Sequence, residues 1–231
     1  MAGRDVAETS SNIEGCTVQA TEHFFTLSDQ ILLRVFDTAG IEESEMGTST
    51  SVSAIEEAQK LVRSLRNAGG VDLLLFCVKA GRCTASMQRN YHLFSEILCD
   101  NRVPLALVIT HLENEEVMES WWERNENAFE RYGIDAIAHA CVTALPAHVT
   151  MYAEKRVQSQ LALQKLLHDA LRPHNPPYIQ AIRNRLLILF EKPILLLMRR
   201  KRRRKVMTKL ETYCALPRAE AKKLASLIIK E

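Results

Sequence analysis

Three nearly continuous apolar runs, at residues 71–78, 103–109 and 137–142, divide the middle of this chain, and a stretch of helical periodicity follows each. Runs of that length and composition are strands buried on both faces, and helix-length connections between them require crossovers rather than tight hairpins. The pattern therefore predicts an α/β fold, a mostly parallel sheet with helices on both faces. Ile55, Ala58, Leu61, Val62 and Leu65 define the buried side of a helix at 54–67, which Gly69-Gly70 stops. Further helices are expected at 86–98, within 115–132 (with Val117, Trp121, Trp122 and Phe129) and at 157–171.

The N-terminal part reads differently. Residues 18–21 alternate apolar and polar, and Ser28-Asp29-Gln30 turns that strand antiparallel into the apolar run 31–36. Thr17 sits where a loop becomes the first strand of this hairpin. The second strand ends in Asp37-Thr38-Ala39-Gly40. A carboxylate and a glycine amide at a strand tip suit water-mediated Mg²⁺ and close approach of a phosphate oxygen, while Asp opening and Gly closing an ordinary β-turn describe the same residues. The Ser/Thr-rich residues 48–53 read as a mobile loop.

At 231 residues, with 47% apolar and 25% charged, the chain has material for one large core and an appendage. The six cysteines contain no C-x-x-C pair, so neither a zinc centre nor a redox motif is indicated, and a reducing, cytoplasmic setting is expected. No Gly-x-Ser-x-Gly occurs, which removes the α/β-hydrolase signature. Pro173-His174-Asn175-Pro176-Pro177 marks a boundary between a domain at 1–171 and a helical basic tail at 172–231. In that tail a helix at 178–190 is interrupted at Glu191-Lys192-Pro193, and its apolar residues are too few and too broken for a bilayer span. Next come seven consecutive cations, Arg199, Arg200, Lys201, Arg202, Arg203, Arg204 and Lys205. Such a run is a solvated basic helix, a peripheral contact with an anionic membrane surface, or, less favoured, a nucleic-acid contact or nuclear address. A short amphipathic helix at 216–229 closes the chain.

Taken together, loop Thr17, Asp37-x-x-Gly40, a strand ending Thr110-His111-Leu112-Glu113 and a strand ending Cys141-Val142-Thr143-Ala144 resemble the second to fifth motifs of a GTPase G domain. The likeness is to the septin-like and immunity-associated branch of P-loop GTPases, and to the G-domain proteins of mushroom-forming fungi, and runs from about residue 1 to 171. It implies guanine nucleotide, GTP or GDP, as ligand, with Mg²⁺ held by Thr17 and through water by Asp37, and the γ-phosphate sensed by Gly40. Glu113 would accept from guanine N1–H and N2–H₂, a pair that adenine does not offer. Thr110 opens that motif. His111 would stack on the base or simply be solvated. Thr143 and Ala144 would bring a backbone amide to guanine O6, or form an ordinary strand-to-helix turn.

Two departures from the family pattern bear on activity. No Gly-Lys dipeptide exists in the sequence, so the Gly-x-x-x-x-Gly-Lys-[Ser/Thr] phosphate cradle is missing; its strand and loop are expected upstream of Met1. Ile41 stands where Ras-type enzymes carry their water-orienting glutamine, so self-sufficient GTP hydrolysis is not expected. The resemblance further implies a homodimer across residues 17–45. The alternative function is a non-catalytic pseudo-GTPase module that binds a protein or membrane surface.

Overall fold

Among the described residues five strands form two sheets, and the apolar run around Leu107 is the middle strand of the larger one. In the computed structural model residues 21–28, 31–38, 49–146, 148–171 and 192–229 are described. Strands β1 (Thr21–Ser28) and β2 (Ile31–Asp37) form the expected antiparallel hairpin, with Thr21 opposite Asp37. Helix α1 (Ser49–Asn67) follows, then β3 (Leu74–Lys79), then α2 (Ala85–Tyr91), which continues as a π-helical turn, His92–Leu98. Strand β4 (Leu105–Thr110), α3 (Glu119–Arg131), β5 (Ala138–Cys141), a 3-10 turn (Thr150–Tyr152) and α4 (Ala153–Ala170) complete this part. Beyond it lie α5 (Lys192–Tyr213) and α6 (Arg218–Ile228).

Strands β3, β4 and β5 make a parallel sheet in that order. β4 lies in the middle and is buried along nearly its whole length, as its unbroken apolar sequence requires. One sheet face carries Ala106, Val108, Ala140 and Val142 and is covered by Leu166 and Leu167 of α4, with Leu27 and Leu33 of the hairpin packed against the same cluster. On the opposite face α3 packs against β5. Trp122 stacks on the His139 ring at 4.2 Å between centroids, and Glu119 hydrogen-bonds His139. An α/β architecture with a parallel sheet between helices is thus observed.

Several boundaries differ from the sequence expectation. Among the described residues the hairpin and the parallel strands are two separate sheets, so β3 is an edge. Its Leu74, Leu75 and Phe76 are only half-buried and Cys77 is exposed, because a strand with one neighbour cannot be covered as β4 is. Residues 49–53, read as mobile loop, belong to α1. Ser51 is fully buried on the face that continues through Ile55, Gln59 and Val62, and tertiary burial overrides the weak helix propensity of Ser and Thr. The helix expected at 86–98 changes to π geometry at His92, and the Cys99 amide reaches back five residues to the Phe94 carbonyl. Asp100 and Asn101 then take left-handed backbone (φ 56° and 53°), which their short polar side chains tolerate. The helix expected at 178–190 lies outside the described residues.

Two compact units emerge, and they interleave along the chain. The first contains the hairpin, β3, β4, α3, β5 and α4. The second contains α1, the π-helical turn, α5 and α6. Within it α5 packs on α6 and on the π-turn, and α1 meets α6 and the π-turn. Leu93, Ile97, Leu98, Leu210, Cys214 and Leu224 are among its fully buried side chains.

Candidate functional site

Parallel strands deliver their last residues to one end of the sheet, where Thr110, Glu113 and Thr143 lie. Thr110 closes β4 in register with Lys79, the last residue of β3. Its hydroxyl donates to the Val78 carbonyl at 3.2 Å. The same hydroxyl lies 2.9 Å from His111 Nδ1, within hydrogen-bond distance. His111 itself has φ 65°, the left-handed region that a non-glycine residue adopts at a cost, and such conformations recur at ligand-binding turns.

After this kink the chain runs through Leu112, which is buried and whose amide donates to the Val142 carbonyl, to half-buried Glu113. The Glu113 carboxylate accepts from the Thr143 hydroxyl at 3.3 Å. The two motif residues, 30 apart in sequence, are therefore neighbours beyond β4 and β5. Thr143 is buried, its amide donates to the Ser159 hydroxyl at 2.9 Å, and that hydroxyl donates in turn to the Lys155 carbonyl at 2.7 Å. With the Thr143 amide so engaged, the exposed Ala144 is the next residue whose amide can meet a ligand. Lys155 Nζ donates to the Glu113 carbonyl at 2.9 Å and also to the Glu115 carbonyl, and Tyr152 Oη donates to Asn114 Oδ1 at 3.1 Å. Lys155 of α4 and Tyr152 of the 3-10 turn before it thus hold the 113–115 loop by three hydrogen bonds, which restrain the loop that presents Glu113.

Asp37 is exposed at the end of β2, close enough to β3 for its charge to act on Cys77. Although the residue as a whole is exposed, the Cys77 thiol is pushed up from its ordinary value, first by loss of hydration at its sulfur and then by the Asp37 charge. Cys77 sits in the C-terminal half of β3. Thr17 and Gly40, like Ile41 and Glu45, lie outside the described residues. The expected metal pair of Thr17 and Asp37 is therefore represented by Asp37. Among the described residues no group of three or more His, Cys, Asp or Glu side chains could hold a metal ion. A single strand-tip carboxylate fits a Mg²⁺ that brings its own waters and phosphate oxygens rather than one caged by protein.

Two residues that shape the site, Lys155 and Ser159, were not expected from the sequence. They lie one helical turn apart in α4, and the closing helix read at 157–171 begins at Ala153, which placed Lys155 outside it. A shallow hollow of about 480 Å³ lined by Leu27, Leu161 and Gln164 among others borders the later turns of α4, not the 113–115 loop. No family model and no curated protein matches the chain.

Proposed function

We propose that this protein recognises guanine nucleotide through the end of its parallel sheet, with Glu113 selecting the base. The observation that carries the reading is the juxtaposition of the Glu113 carboxylate with Thr143, at the exits of adjacent parallel strands and on a loop restrained by Lys155 of α4. A carboxylate there accepts two hydrogen bonds from the guanine edge, the Ala144 amide donates to O6, and His111 is placed to cover the ring. Asp37 would hold Mg²⁺ through water when nucleotide brings the ion, and the metal would supply charge neutralisation at the phosphates. No catalytic step is assigned. The absence of any Gly-Lys dipeptide favours, as a second reading, an interaction module in which nucleotide binding is weakened or lost.

Titration of the full chain with fluorescent GDP and ADP analogues tests the reading. Weak binding with a clear preference for GDP is expected, and Glu113→Ala is expected to lower GDP affinity about 10- to 100-fold, the effect of losing charge-assisted hydrogen bonds. Equal binding of GDP and ADP, or none of either, would leave the interaction module as the better account.

A further inference from the structure

The seven-cation run lies in the second unit, within a single helix. Helix α5 extends over 22 residues and carries in sequence five consecutive apolar residues, Ile194-Leu195-Leu196-Leu197-Met198, directly before Arg199. Its later turns are anchored. Val206 and Leu210 are buried, Lys209 pairs with Glu96 of the π-turn, Tyr213 stacks on His92 at 3.9 Å between centroids, and Arg202 pairs with Asp100 at 3.1 Å. Residues 199, 202, 206, 209 and 213 share one face of a helix. On that face burial declines towards the N-terminus: Val206 is buried, Arg202 half-buried and Arg199 exposed. The described part of that face thus runs from packed at Val206 to open at Arg199.

Arg200, Lys201, Arg203, Arg204 and Lys205 are exposed as well and pair with no described residue. They cover the outer half of the helix. From this placement we infer that the first three turns of α5 are a peripheral membrane contact, in which the apolar turn enters the headgroup region of an anionic bilayer while the cations bind lipid phosphates. The dimensions agree. Five helical residues rise about 7 Å, which matches an interfacial depth of about 5–10 Å and falls far short of a span. Among the described residues no helix is long and apolar enough to cross a membrane. A nucleic acid would use the same cations but has no place for five adjoining apolar residues, so the lipid surface is the partner that accounts for both runs.

Flotation of the full chain with phosphatidylcholine vesicles, with and without phosphatidylserine, tests the inference. Binding is expected only with the anionic lipid. Replacing the five outer cations by Gln is expected to weaken it by about fivefold per cation removed. Leu196→Gln with Leu197→Gln is expected to weaken it without changing the net charge. Circular dichroism of each variant checks the fold, and Arg202 and Lys209 are kept so that the anchoring pairs survive. Failure to float with anionic vesicles, binding unchanged in the five-cation variant, binding unchanged in the double-Leu variant, or tighter binding to an RNA or DNA oligonucleotide than to vesicles would each overturn it.

Discussion

The Ser159 hydroxyl shows how one buried atom sets the candidate site. It accepts from the Thr143 amide and donates to the Lys155 carbonyl, so removing it leaves the amide of a residue only 7% exposed without a partner. Ser159→Ala is therefore expected to destabilise the protein by about 1–3 kcal/mol, measured as a lower urea midpoint at unchanged slope. Ser159→Thr, which keeps the hydroxyl, is expected to lose less. Equal stability of wild type and the Ala variant would mean that Thr143 finds another acceptor. Gln59 presents the opposite situation. It is 6% exposed on the inward face of α1, and neither amide atom has a hydrogen-bond partner among the described residues. Replacing it by Leu, similar in volume and without polar atoms, is expected to stabilise by about 1 kcal/mol in the same measurement. Destabilisation would show that a water or ligand satisfies the amide.

At the scale of elements, what could be read in the sequence depended on whether local pattern and tertiary burial agreed. The runs around Leu33 and Leu107 became strands within a residue or two of expectation because both period and composition favoured strand. The places of Thr110 and Asp37, which close their strands, and of Glu113 and Thr143, which follow a strand within three residues, were legible because topology and sequence coincide there. Residues 49–53 were misread because Ser and Thr favour loops locally, and only the burial of Ser51 reveals the helix. The π-turn at His92–Leu98 carries no compositional mark. It is held by tertiary groups: burial disfavours the Glu96 charge, but hydrogen bonds from Lys209 and His92 outweigh that and hold its carboxyl below the ordinary range. A carboxyl lowered in the fold stabilises above its unfolded value and loses that contribution as pH falls. Lys209→Met should therefore make the protein less stable at pH 7 and weaken the dependence of the urea midpoint on pH below about 4.5. An unchanged acid limb would argue against this role for the pair.

For the whole molecule, the cysteines report on both units. The five described cysteines are free. Burial pushes Cys99 and Cys214 up to about 11, with Arg66 and Arg89 opposing it respectively, and pushes Cys141 up to about 12, with the Glu119 charge adding to it. The unfolded chain releases these protons near 9. From about pH 9 to 11 the folded state thus holds more protons than the unfolded one, and stability falls as pH rises; below about pH 9 these thiols contribute no slope. In iodoacetamide at pH 8 the three are expected to resist alkylation until urea unfolds the protein. Rapid native alkylation of Cys141 would place it outside the core between α3 and β5.

Guanine selection by Glu113 is tested most directly by reversing the donor and acceptor roles. Xanthine carries an acceptor where guanine has its 2-amino donor, so an amide in place of the carboxylate suits xanthine and not guanine. Comparing xanthosine and guanosine diphosphate binding to wild type and Glu113→Gln by calorimetry is the decisive measurement. Wild type is expected to prefer the guanine nucleotide, and Glu113→Gln to prefer the xanthine nucleotide by about 10-fold or more. A Gln variant that kept the wild-type order of preference would contradict the assignment of Glu113 to the base.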